Sequence, residues 1–64
     1  MEAFQQRVVE EKTELDAKRE KLGQFIGSET FFALAEAERE RLARQQVVMR
    51  DYSGILGERI AAFA

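Results

Sequence analysis

Polar side chains recur where two long helical patterns would place apolar residues. The five positions are Glu11, Lys18, Gln45, Tyr52 and Arg59. A charged group that is buried without a partner is costly, so residues of this kind either pair with one another or face a polar cavity. These positions are therefore where the sequence could do chemistry.

The chemistry open to these side chains is binding rather than catalysis. The chain contains no Cys and no His, which removes the commonest nucleophile and the commonest general base. Helical di-metal sites combine glutamates with histidines, and zinc sites favour Cys and His, so the absence of His and Cys argues against both kinds of metal site. We therefore expect a protein that is not an enzyme, with no catalytic residue, no metal and no cofactor.

Two interpretations of the polar positions remain open. In the first, Glu11 faces Tyr52 and Lys18 faces Gln45 across a pair of helices, and their hydrogen bonds fix the register of the pair. In the second, the side chains line a pocket in which Arg59 and Lys18 meet phosphate. Tyr52 would then stack on a base.

The elements that must position these residues are helices. Pro is absent, and strong helix formers dominate the sequence. Apolar residues recur every seven positions, at Val8, Leu15 and Leu22 and again at Leu42, Met49 and Leu56, as in a coiled coil. Gly27 followed by Ser28 indicates the end of one helix and the cap of the next. We predict one domain over 1–64, with helices over about 2–26 and 36–63 and a short helical turn over 28–34.

The predicted fold is all-α: an antiparallel hairpin of two helices that assembles into a homo-oligomeric bundle. A chain of 64 residues buries too little apolar surface to be comfortably stable alone, and without Cys no disulfide can reinforce it. Self-association is the remaining reinforcement. Within the second helix, Gly54 and Gly57 indicate either a close helix neighbour or a kink, or are simply tolerated.

Charge and hydropathy limit the partners. Ten basic and twelve acidic residues give a net charge of -2, whereas proteins that bind duplex DNA carry a cationic stripe. No apolar run approaches the length that spans a bilayer, and the first residues lack the pattern of a signal peptide. We expect a cytoplasmic protein with no membrane partner and no nucleic-acid partner.

The sequence resembles a group of small helical phage proteins, including those of crAss-like phages, over nearly its whole length. The first helix matches their pattern at Glu11, Lys12, Leu15, Phe25 and Ile26. The second helix matches it at Leu42, Gln45, Met49, Tyr52, Ser53, Leu56, Arg59 and Ile60. Gly54 and Gly57 depart from the pattern. The chain also resembles the sequestin-like phage sponges, which bind the nucleotide signals of bacterial immunity between subunits.

This resemblance implies an anti-defence protein, acting in the infected bacterial cytoplasm, that sequesters a cyclic nucleotide or an ADP-ribose derivative without cleaving it. The expected ligand-binding residues are Lys18, Gln45, Met49, Tyr52, Ser53 and Arg59. Arg59 and Lys18 would neutralise the phosphate, while Gln45 and Ser53 would form hydrogen bonds with the polar edges of the ligand. The alternative is an oligomeric adaptor or inhibitor that docks on a host or phage protein through an exposed helix face.

Overall fold

The computed structural model of the protein describes residues 1–63, so Ala64, the last residue of the predicted domain, lies outside it. These residues form three helices: α1 (Ala3–Phe25), α2 (Glu29–Ala33) and α3 (Glu36–Ala61). The prediction of an all-α chain is confirmed for this part of the sequence. None of the three helices combines the length and the apolar character needed to cross a membrane.

Local signals set the helix boundaries. At the start of α1, the backbone N–H of Glu2 donates to Oε1 of Gln5 at 2.9 Å. After α1, Gly27 adopts a φ of 100°, a left-handed conformation that a side chain would strain. Ser28 then caps α2, because its Oγ accepts a hydrogen bond from the backbone N–H of Phe31 at 3.2 Å.

The long helices α1 and α3 run in opposite directions against each other. The beginning of α1 meets the segment just after α3, where the rings of Phe4 and Phe63 lie 6.2 Å apart in an edge-to-face arrangement. In the middle of the pair, Asp16 and Ser53 are hydrogen-bonded. The result is a rod measuring 47 × 14 × 13 Å.

The apolar core of this rod is small. Val8, Phe31 and Leu56 are the buried hydrophobic residues of the described chain. Phe31 lies edge-to-face with Phe25, with 6.1 Å between ring centroids, and so closes the end where the helices are connected. A core of this size supplies little apolar burial for a chain of 64 residues.

The face between α1 and α3 lies one residue later in each helix than the polar positions singled out in the sequence. Glu11, Lys18, Gln45, Tyr52 and Arg59 are exposed, whereas the residue that follows each of them is buried or half-buried. These following residues are Lys12, Arg19, Gln46, Ser53 and Ile60. The contact face therefore contains the apolar residues that recur every seven positions, together with the residues four positions after them. The predicted face contained the residues three positions after them.

This rotation replaces the predicted Glu11–Tyr52 and Lys18–Gln45 pairs. Lys12 and Asp16 bond to Ser53 instead, so their charges are satisfied on the inner side of the pair and the predicted residues are turned outward. Helix α3 continues through both Gly54 and Gly57. A Cβ at Gly57 would lie 3.5 Å from Cε of Lys12, so this glycine does sit beside a neighbouring helix.

Candidate functional site

Four polar side chains form one connected cluster between α1 and α3, which we call the Asp16 network: Lys12, Asp16, Arg19 and Ser53. Lys12 Nζ donates to Oδ2 of Asp16 and to Oγ of Ser53, both at 2.8 Å. Ser53 Oγ donates in turn to Oδ1 of Asp16 at 2.6 Å. Arg19 Nη1 reaches the same Oδ1 at 2.9 Å.

The network stabilises the charged form of Asp16. The hydrogen bonds from Lys12, Ser53 and Arg19, in that order of importance, hold the pKa of the Asp16 carboxyl well below its usual range. Partial burial acts in the opposite direction but is outweighed. Each carboxylate oxygen thus has a charged donor, and the cluster ties α3 to α1 at a single position along the rod.

Helical spacing explains why these residues meet. Lys12 and Arg19 lie four residues before and three residues after Asp16, so both reach its carboxylate from the same side of α1. Sequence reasoning did not single out Asp16, because it lies inside a continuous helical pattern and its partner Ser53 lies one residue after the predicted contact position Tyr52.

A second feature lies on the outside of α3, and we call it the outer stripe. Its residues are spaced alternately by three and four positions, which places them on one face of the helix: Gln45, Val48, Tyr52, Ile55 and Arg59. Val48, Tyr52 and Ile55 are 65%, 41% and 54% exposed. Three large side chains in a row thus give this solvent-facing side of α3 a candidate interaction surface.

The predicted ligand-binding residues fall into two groups in the structure. Gln45, Tyr52 and Arg59 lie on the outer stripe, and half-buried Met49 contacts it through a hydrogen bond from Gln45 Nε2 to its Sδ at 3.8 Å. Ser53 is separate from them, because it is 2% exposed and its hydroxyl is engaged in the Asp16 network.

Lys18, on α1, lies on the same side of the rod as the outer stripe. Lys18 precedes the inward-facing Arg19, as Tyr52 precedes the inward-facing Ser53. In an antiparallel pair of helices, the residues one position before the inward-facing residues lie on the same flank of both helices. Lys18 and the stripe are therefore on one flank, and the Asp16 network is on the other side of the contact face.

The network flank also contains a cavity. Its volume is about 210 Å³, and it is lined by Arg19 of α1 and by Gln46, Val47 and Arg50 of α3. Arg19 is the member it shares with the Asp16 network. Nothing in the sequence distinguishes Arg19, Gln46 and Arg50 as site residues, because polar and charged residues in this part of the chain also suit an ordinary solvated helix face.

Comparison with known proteins places the chain among phage proteins. The model of the Sequestin family matches residues 2–62. A protein of Enterobacteria phage T4, described as an uncharacterized 7.5 kDa protein in the denB-rIIB intergenic region, is 38% identical over 63 residues, covering 98% of this chain and 98% of the T4 protein. No solved structure matches the chain significantly.

Proposed function

Because the chain belongs to the Sequestin family of phage proteins, we propose that it sequesters a nucleotide-derived immune signal of the infected bacterium. The family name describes binding rather than catalysis. The expected ligand is a cyclic nucleotide or an ADP-ribose derivative, held in the cytoplasm and not cleaved. The phage would thereby deprive a defence system of its messenger.

The observation that carries the proposal is the flank formed by the outer stripe and Lys18. Lys18 and Arg59 offer cations for phosphate, Tyr52 offers an aromatic face for a base, and Gln45 offers an amide. Met49 lies beside Gln45 and supplies an adaptable apolar contact. Ser53 contributes from behind, by holding α3 against α1 through the Asp16 network.

Self-association completes the proposal. The two most exposed apolar side chains of the stripe, Val48 and Ile55, would pack against a second copy of the chain. This contact would supply the apolar burial that the small core of Val8, Phe31 and Leu56 lacks. The ligand-binding side chains would then lie at the boundary between subunits.

The proposal is tested with two variants and a matched control. Titration calorimetry against a panel of cyclic dinucleotides and ADP-ribose derivatives identifies the ligand of the unmodified protein. Tyr52→Ala and Arg59→Ala should each abolish binding while the oligomer persists in size-exclusion chromatography with light scattering. Arg41→Ala, an exposed arginine of α3 paired with Glu38, should bind normally. Unchanged affinity in both test variants would refute the assignment of this flank.

The outer stripe also favours a second function, that of an adaptor or inhibitor of a host or phage protein. An amphipathic helix with an exposed apolar row is a common docking surface for another protein. This function predicts no affinity for any nucleotide of the panel. It also predicts that Ile55→Glu abolishes capture of one defined protein from infected cells, whereas Phe32→Glu, at an exposed position away from the stripe, does not.

A further inference from the structure

The cavity on the network flank has the chemistry of an anion site. Arg19 comes from α1 and Arg50 from α3, so two arginines from different helices line one cavity. Like charges that line the same depression repel each other unless an anion lies between them. Gln46 adds an amide group, and Val47 closes one side with an apolar surface.

Both arginines retain donors for a ligand. Among the described residues, Arg19 bonds only to Asp16, and it does so through Nη1. Arg50 reaches only the adjacent Asp51 among these residues, through Nε and Nη2 at the long distances of 3.4 and 3.3 Å. A guanidinium group carries five N–H donors in a planar fork that matches phosphate oxygens, so each side chain keeps unused N–H groups.

The Asp16 network supports this cavity from behind. Asp16 holds the guanidinium of Arg19 and is itself held by Lys12 and Ser53. Arg19 is therefore restrained before a ligand arrives, which lowers the entropic cost of binding. At Gly23 of α1, an added Cβ would stand 3.6 Å from Nε2 of Gln46, an ordinary van der Waals distance, so the Gln46 amide lies directly beside α1.

We propose that Arg19, Gln46 and Arg50 form a binding site for a phosphoryl group, on the flank opposite the outer stripe. The site is distinct from the six residues of the proposed nucleotide site. It would remain accessible when two copies associate through the stripe. Its occupant is either free inorganic phosphate or pyrophosphate, or the phosphate group of a nucleotide.

The test is a titration of isotopically labelled full-length protein, followed by amide and arginine side-chain NMR signals. The probes are inorganic pyrophosphate, adenosine monophosphate and adenosine. We expect pyrophosphate to shift the signals of Arg19, Gln46 and Arg50 in a saturable manner. Adenosine, which lacks phosphate, should leave them in place. Shifts with adenosine monophosphate as well would identify nucleotide phosphate as a ligand, and shifts with pyrophosphate alone would identify the free anion.

Arg50→Gln should weaken the binding of pyrophosphate about tenfold or more, the loss expected when a charge-assisted hydrogen bond is removed. Arg41→Gln provides the matched control, because Arg41 is an exposed arginine of the same helix that pairs with a nearby acid. It should bind as the unmodified protein does. Arg50→Gln changes an exposed side chain, and its fold is checked from the same spectra.

Three results would overturn the inference: no saturable shift with pyrophosphate, equal weakening by Arg50→Gln and Arg41→Gln, or shifts at Tyr52 and Arg59 without shifts at Arg19 and Arg50. The last result would leave the proposed nucleotide site intact. Saturable binding of pyrophosphate at Arg19 and Arg50, in a protein that captures no nucleotide, would instead support this site and refute the proposed function.

Discussion

The two flanks of the α1–α3 pair differ in whether their side chains find partners within the chain. On the network flank, the carboxylate of Asp16 meets Lys12, Arg19 and Ser53 within the same chain. On the flank of the outer stripe, Val48 and Ile55 are more than half exposed. On one flank the carboxylate is paired within a single chain, and on the other flank exposed apolar side chains present surface that a partner would cover.

This contrast separates what fixes the fold from what is available for binding. Hydrogen bonds of fixed geometry at one point along two helices specify their register, whereas apolar contact alone tolerates slippage. The stripe has no comparable constraint within the chain. Changes that break the hydrogen bonds of the Asp16 network should therefore alter the stability of the fold, and changes on the stripe should alter assembly and binding.

The largest effect is expected from a charge on the stripe. Ile55→Glu would bury a carboxylate of each copy at the proposed subunit contact, so self-association should weaken about a hundredfold or more. Sedimentation velocity over a range of concentrations measures the change. Phe32→Glu, at a residue that is 61% exposed and outside the stripe, is the control. An oligomer that survives Ile55→Glu unchanged would show that the copies do not meet at this flank.

On the network flank, Ser53→Ala should reduce stability without changing assembly. The substitution removes one donor to Asp16 and one acceptor for Lys12 at a site that is 2% exposed. We expect a loss of about 1–3 kcal/mol in the free energy of unfolding, measured by urea denaturation followed by circular dichroism. Ser28→Ala, which removes only the cap of the short α2, should cost less. Equal losses would indicate that the network contributes nothing specific.

The dependence of stability on pH tests the same network through its charge. The pKa of Asp16 is lowered in the folded state, so the unfolded state binds the proton more readily. The contribution of the Asp16 carboxylate to folding stability is complete above its pKa of about 4 in the unfolded state. This contribution is lost as the pH falls toward the lower pKa of the folded state. The difference in melting temperature between the unmodified protein and Asp16→Asn should therefore shrink below about pH 4.

Asp51→Asn is the control for that experiment, because the side chain of Asp51 is 64% exposed and its carboxylate pairs only with the adjacent Arg50 among the described residues. Its difference from the unmodified protein should stay small from pH 7 to pH 3. A constant difference for Asp16→Asn over the same range would mean that the carboxylate of Asp16 is not selectively stabilised in the folded protein.

The smallest effect is expected at Gly54. An added Cβ there meets nothing within 4 Å, and Gly54 lies inside α3 but outside the outer stripe. Gly54→Ala should raise the free energy of unfolding by about 0.5–1 kcal/mol and leave assembly unchanged. Gly27→Ala should lower stability, because Gly27 adopts a φ of 100°. A loss at Gly54 would mean that a partner approaches that side of α3.

The sequence was sufficient to predict the helices, because their signals are local. Ser28 and Gly27 mark the break between α1 and α2, and the structure places helix boundaries there. Val8 and Leu56 each belong to a series of apolar residues that recurs every seven positions. This recurrence correctly predicted that both residues lie in the contact between the helices, where they are buried. Periodicity and turn chemistry suffice for such features.

The sequence was not sufficient to predict the rotation of the helices about their axes. Phe4 and Phe25 favoured a face that included Glu11 and Lys18, whereas the structure turns Lys12 and Arg19 inward. The deciding factor is a cluster of hydrogen bonds between residues as far apart in the chain as Asp16 and Ser53. A charged residue in a helical pattern shows its partner only when the second helix is in place.

Sequestration is tested most directly by native mass spectrometry of the protein after incubation with extract from bacteria whose immune signalling has been activated. We expect a defined oligomer that carries a nucleotide, and denaturation should release that nucleotide with its mass unchanged. An oligomer that remains empty in such extracts, or a released product that has been cleaved, would contradict sequestration of an intact signal.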